Sequence, residues 1–104
     1  MTKSKNAKSI MLVRVVKMHF TPSFVAEFKV LFNKVKSQIS SFEGCNGVQL
    51  LQHETQPEIF FTISNWQSAE HLEHYRTSEL FTTTWAKVKP NFVSKAEAWS
   101  LLEQ

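Results

Sequence analysis

The stretch from Ile59 to Phe81, IFFTISNWQSAEHLEHYRTSELF, constrains the fold more than any other part of the chain. Its leading residues alternate. Ile59, Phe61, Ile63 and Asn65 fall on one side and Phe60, Thr62, Ser64 and Trp66 on the other, the period of a strand with large apolar groups on both faces. Ser68 then stands where a helix begins, with Glu70 in the first turn, so that a side-chain oxygen meets a free N–H and a carboxylate meets the positive end. Ala69, Leu72, Tyr75 and Arg76 mark the inner side of that helix, Arg76 through its aliphatic stem. Thr77-Ser78 interrupts the pattern, and a further helical stretch from about Glu79 to Val88 runs to the stop at Pro90. A buried strand that delivers a Trp beside a helix bearing His and Tyr can wall a small pocket for an aromatic or planar ligand.

The flanking sequence completes a plan. Ile10 to Phe20 is dense in β-branched residues and predicts a strand, with Arg14, Val16, Met18 and Phe20 on one face and Met11, Val13, Val15, Lys17 and His19 on the other. Thr21-Pro22-Ser23 predicts a helix start with Thr21 as cap. Phe24, Phe28, Leu31, Val35, Ile39 and Phe42 recur at helical spacing until Gly44. Val48 to Glu54 and Glu58 to Trp66 predict a hairpin, and Val93 to Leu102 a last strand, although AEAWSLLEQ also suits a helix. Strand, helix, strand, strand, helix, strand is the ferredoxin-like β-α-β-β-α-β order: an α+β fold with an antiparallel four-stranded sheet and helices on one face. The other face is also apolar, so a second copy of the chain is the expected cover.

Composition narrows the function. The length predicts one domain over residues 10–104, preceded by a disordered basic tail at 1–9. The net charge of +3 comes from Lys3, Lys5 and Lys8 in that tail; without them nine basic residues face nine acidic ones. No basic stripe is left for nucleic acid. Cys45 is the single cysteine, which rules out an intrachain disulfide and a thiolate metal cage. Two glycines cannot make a phosphate-binding loop. No apolar run approaches the ~20 residues of a membrane span, and the expected location is the cytoplasm. Nine Phe and three Trp exceed what a thin core needs and imply a pocket or an interface.

Trp66, Ser68, Glu70, Leu72, Ser78 and Phe81, with the Phe42-Glu43-Gly44-Cys45 turn before a strand, carry a resemblance. Over about Met11 to Trp99 the chain resembles the antibiotic biosynthesis monooxygenase family of dimeric α+β barrels. The resemblance implies a homodimer joined through the sheet face and oxidation of a small aromatic or quinol-like molecule without a bound cofactor. Its alternative is a non-catalytic or isomerase-type binding member of the same fold. Two departures stand out: Tyr75 occupies the place nine residues after the Trp where many members have His, and Leu80 replaces a second His. The residues of the haem-degrading branch are also missing, with Val15 or Val16, Tyr75 and Trp85 in their places, so haem degradation is not implied.

Such chemistry requires a base, donors that stabilise an anion, and an apolar wall. His71 and His74 are the candidate bases, because histidine titrates near neutrality, and Tyr75 can orient a substrate oxygen. Without an evident third ligand the two histidines predict no metal site. Trp66 and Trp85 can stack on a planar substrate or simply pack, and Asn65 can hydrogen-bond a ligand or a turn. Arg14, flanked by valines, needs an anionic partner: a substrate, or a Glu across the dimer unless it lies at an exposed edge.

Overall fold

A computed structural model describes residues 11–104; the expected tail and Ile10 lie outside them. The elements are β1 (Leu12–His19), α1 (Val25–Ser40), β2 (Cys45–Gln52), β3 (Ile59–Trp66), α2 (Ala69–Arg76), α3 (Glu79–Val88) and β4 (Glu97–Leu102). The strands form one antiparallel sheet in the order β2-β3-β1-β4. This is the ferredoxin-like α+β arrangement predicted from the alternation of elements.

The sheet has two unlike faces because side chains alternate along each strand. Toward the helices, registered rows cross the sheet: Leu50–Thr62–Val16–Ala98, then Val48–Ser64–Arg14–Ser100, then Cys45–Trp66–Leu12–Leu102. α1 lays Phe28, Phe32, Val35 and Ile39 on this face, at the spacing of one helical stripe. Phe20, Phe60 and Trp66 are fully buried. Phe28 packs edge-on to Phe60 with ring centroids 5.0 Å apart. The opposite face carries the rows Gln49–Ile63–Val15–Trp99 and Asn65–Val13–Leu101, and no helix of the described residues covers it. Trp99 and Leu101 are 42% and 50% exposed there.

Local details differ from expectation for identifiable reasons. Thr21 makes no side-chain cap; its backbone carbonyl instead accepts from Phe24 N–H at 3.0 Å, and a 3₁₀ turn over Pro22–Phe24 leads into α1. β2 begins at Cys45, three positions before the predicted Val48, because a register shift between those residues absorbs Gly47 at φ +130°. β4 begins at Glu97 and not at Val93. A 3₁₀ turn over Lys89–Asn91 follows α3, Phe92 touches Phe20 in a single bridge, and the ladder with β1 starts only afterwards. Ser68 and Ser78 do cap α2 and α3, accepting from the backbone N–H groups of His71 and Phe81.

Candidate functional site

A cavity of about 260 Å³ lies between the sheet and all three helices. Its walls are mostly apolar: Val16 and Met18 from β1, Phe28 and Phe32 from α1, Phe81 and Trp85 from α3. Among the described residues the polar lining is confined to Arg14, Thr62, Ser64, Tyr75, Arg76 and Thr84. Arg76 and Ala98 are lining residues that are also exposed, which places the mouth beside the end of α2 and the free edge strand β4.

The aromatic wall is continuous. Fully buried Trp66 donates from Nε1 to Ser64 Oγ at 2.9 Å and stacks against Tyr75 with centroids 5.0 Å apart. Tyr75 meets Phe81 edge-on at 5.2 Å, and Phe81 stacks on Trp85 at 5.5 Å with planes 12° apart. Trp66 is therefore the backing of the wall, and Tyr75 and Trp85 are its inner surface. Burial pushes the Tyr75 hydroxyl up to about 12, with a smaller contribution from Cys45, so the phenol stays protonated at neutral pH and acts as a donor. Burial likewise pushes the Cys45 thiol up, as expected for a packed cysteine and not a nucleophile.

Arg14 sits on a central strand, so it is not at a sheet edge, and it faces the helices. Its Nη1 donates to Ser100 Oγ at 3.0 Å. Burial, and then the nearby charge of Arg76, pull its guanidinium below the usual arginine value, while Glu73 acts in the opposite direction. Arginine still remains charged at neutral pH. Arg76 is paired with Glu73 at 3.2 Å, one helical turn back.

The remaining candidates lie elsewhere. His74 is exposed on the outer side of α2, and its carbonyl accepts from Thr77 Oγ1 at 3.2 Å. His71 is half-buried with Nδ1 2.7 Å from Ser68 Oγ, and its ring is seated on Gly44. Neither lines the cavity. Asn65 is paired with Val13 on the opposite face of the sheet. The fold thus gathers Arg14, Tyr75 and Trp85 at one cavity, with Trp66 behind them, and separates His71, His74 and Asn65 from it. Arg76 is a cavity residue that sequence reasoning treated only as a packing stem. Its place on the helix stripe of Leu72 and Tyr75 was the available signal.

The family model for antibiotic biosynthesis monooxygenase matches residues 11–87, which takes in β1 to β3 and nearly all of the helices. The chain belongs to that family. Solved structures agree on the fold. A conserved protein from Methanosarcina mazei Go1 superposes with TM-score 0.87 at 19% identity, covering 96% of this chain and 99% of that one. A structure described as an antibiotic biosynthesis monooxygenase superposes with TM-score 0.82 at 14% identity, over 86% and 95% of the two chains. Rv0793 from Mycobacterium tuberculosis gives TM-score 0.82 at 13% identity, over 90% and 95%. A search of curated proteins finds no significant match. In this family member the motif residues play structural parts: Trp66 fills the core, Ser68 and Ser78 are caps, and Phe81 spaces Tyr75 from Trp85.

Proposed function

We propose that the protein is a cofactor-independent monooxygenase that oxidises a small phenolic or quinol-like molecule in this cavity, working as a homodimer. The observation that carries the reading is the joining, in one cavity, of a stacked aromatic wall with a guanidinium and a protonated phenol. A phenol that reacts with dioxygen can supply every electron the reaction needs. Its ring C–H becomes a quinone C=O, one oxygen atom stays in the product, and the other leaves as water. The protein must favour the phenolate, hold the ring and limit water. Arg14 stabilises the anion, Tyr75 donates a hydrogen bond, and Trp85 with Phe81 stacks on the ring. Since neither His71 nor His74 lines the cavity, the substrate proton passes to solvent at the mouth.

The second copy packs on the outer face of the sheet, covering Val13, Val15, Ile63, Trp99 and Leu101, where an exposed apolar strip awaits a partner. Dimeric assembly is typical of the family. One feature favours the rival reading of a non-catalytic or isomerase-type binding member: no histidine lines the cavity.

An oxygen electrode separates the two. Purified protein is mixed with a panel of phenols and quinols, and binding is followed in parallel by tryptophan fluorescence. The proposal predicts oxygen uptake in equimolar amount with substrate consumed, and loss of that uptake in Trp85→Ala. Binding of panel members with no uptake above the protein-free rate would reject the monooxygenase and leave the binding module.

A further inference from the structure

We infer that the resting ligand of this cavity is a planar, mostly apolar monoanion whose carboxylate is held between Arg14 and Arg76, so that the substrate is a phenol bearing a carboxylate and not an uncharged phenol. This rests on the small-aromatic reading above and names the substrate class.

Four observations carry it. The chain has only two arginines, and both line the cavity, whereas none of the seven lysines among the described residues does. Arginine offers a planar fork matched to a carboxylate, which a lysine does not. Arg14 presents five N–H donors, yet Ser100 Oγ is its one polar side-chain partner among the described residues. Among the described residues no carboxylate pairs with Arg14. Glu73, the acid whose charge acts on it, is already paired with Arg76, and residues 1–10 contain no Asp or Glu. A second copy on the outer sheet face cannot reach Arg14 either, because Arg14 projects to the helix face.

The charge balance sets the ligand's charge. Arg14 and Arg76 with Glu73 sum to +1, so the single carboxylate of the resting ligand neutralises the group. Mutual repulsion between the two guanidinium groups is relieved when an anion lies between them. The row Val48–Ser64–Arg14–Ser100 puts this cationic end near one end of the sheet, with Val16, Met18 and Phe28 beyond it. The ligand therefore enters with its ring toward Met18 and Phe28 and its carboxylate toward the mouth, where Arg76 is 45% exposed.

Matched probes test this: 1-naphthoate, the neutral 1-naphthalenemethanol and the cationic 1-naphthylmethylamine, each titrated by calorimetry at fixed ionic strength. We expect the carboxylate to bind about ten- to a hundredfold tighter than the alcohol, as charge-assisted hydrogen bonds allow, and the amine to bind weakest. Arg76→Gln should remove most of that preference while leaving the alcohol's affinity within about threefold, and Arg14→Gln should also remove most of it. Arg14→Lys, which keeps the charge without the fork, should retain part of it. Because Arg76 is solvent-exposed, its variant will fold even if the Arg14 variants do not. Equal affinity for acid and alcohol would overturn the inference while leaving the aromatic cavity intact. A preference that survives in Arg76→Gln and Arg14→Gln would also overturn it, since the anion would be bound elsewhere. Failure of all three probes to bind would overturn both the inference and the reading beneath it.

Discussion

Replacing Gly44 by alanine should damage this protein more than its conservative chemistry suggests. Gly44 has φ +86°, a conformation that costs an L-residue ~1–2 kcal/mol. A methyl group there would also run into the His71 ring and into its Cβ, so no rotation of the imidazole relieves the clash. The first turn of α2 must move away, which adds an overpacking cost of about 1–3 kcal/mol. The two parts together give about 2–5 kcal/mol, a large share of the ~5–15 kcal/mol that holds a typical domain together. Gly47 is the internal control: its φ of +130° also disfavours a side chain, but nothing lies within 4 Å of the added carbon. Urea unfolding of Gly44→Ala and Gly47→Ala at one protein concentration, with and without His71→Gly, separates strain from collision. We expect Gly44→Ala to be the worse of the two, and its excess to vanish in the His71→Gly background. Equal losses in the two backgrounds would refute the packing of α2 on the Gly44 turn. Since α2 carries Tyr75 and Arg76, the Gly44→Ala protein should also bind ligand more weakly.

Three further outcomes follow from the geometry. Tyr75, pushed up to about 12 from an ordinary 10.0, binds a proton more tightly folded than unfolded. Its contribution is complete below pH ~10 and is lost as pH rises toward ~12, up to about 3 kcal/mol, so Tyr75→Phe should flatten that part of a stability-versus-pH curve measured by urea titration. Ser64→Ala strands the buried Trp66 Nε1–H and should cost about 1–3 kcal/mol, whereas Ser64→Thr should cost less because it keeps the acceptor. Trp99→Glu, placed on the exposed apolar strip of β4, should convert a dimer to monomers in sedimentation velocity; an unchanged sedimentation coefficient would place the subunit contact elsewhere.

How much of this was legible in the chain depended on the physics involved. The order of elements was, because alternation in β3 and the caps Ser68 and Ser78 are local signals that the packing obeys. Period two also separates Asn65 from Trp66, so both could never face one cavity. On α2, His74 stands two residues from Leu72, about 200° round the helix at ~100° per residue, which turns it outward. His71 was harder to place: it lies near the Tyr75 stripe, but one turn earlier, where it meets the Gly44 turn and not the cavity. The start of β4 was illegible because it depends on the Phe20–Phe92 bridge, a contact between distant residues. Arg14 was recognised as a charge in need of a partner. That Arg76 is its neighbour, and no carboxylate its mate, follows only from the fold.

Oxygen transfer to a phenolic ring held in this cavity is the central proposal. Turnover of a hydroxynaphthoate panel under oxygen-18 gas, with mass spectrometry of the quinone and of the water, tests it most directly. The prediction is one labelled oxygen atom per product molecule, with the second label in water and no added metal, flavin or reductant required. Tight binding of the panel with no label incorporated into any product would contradict it.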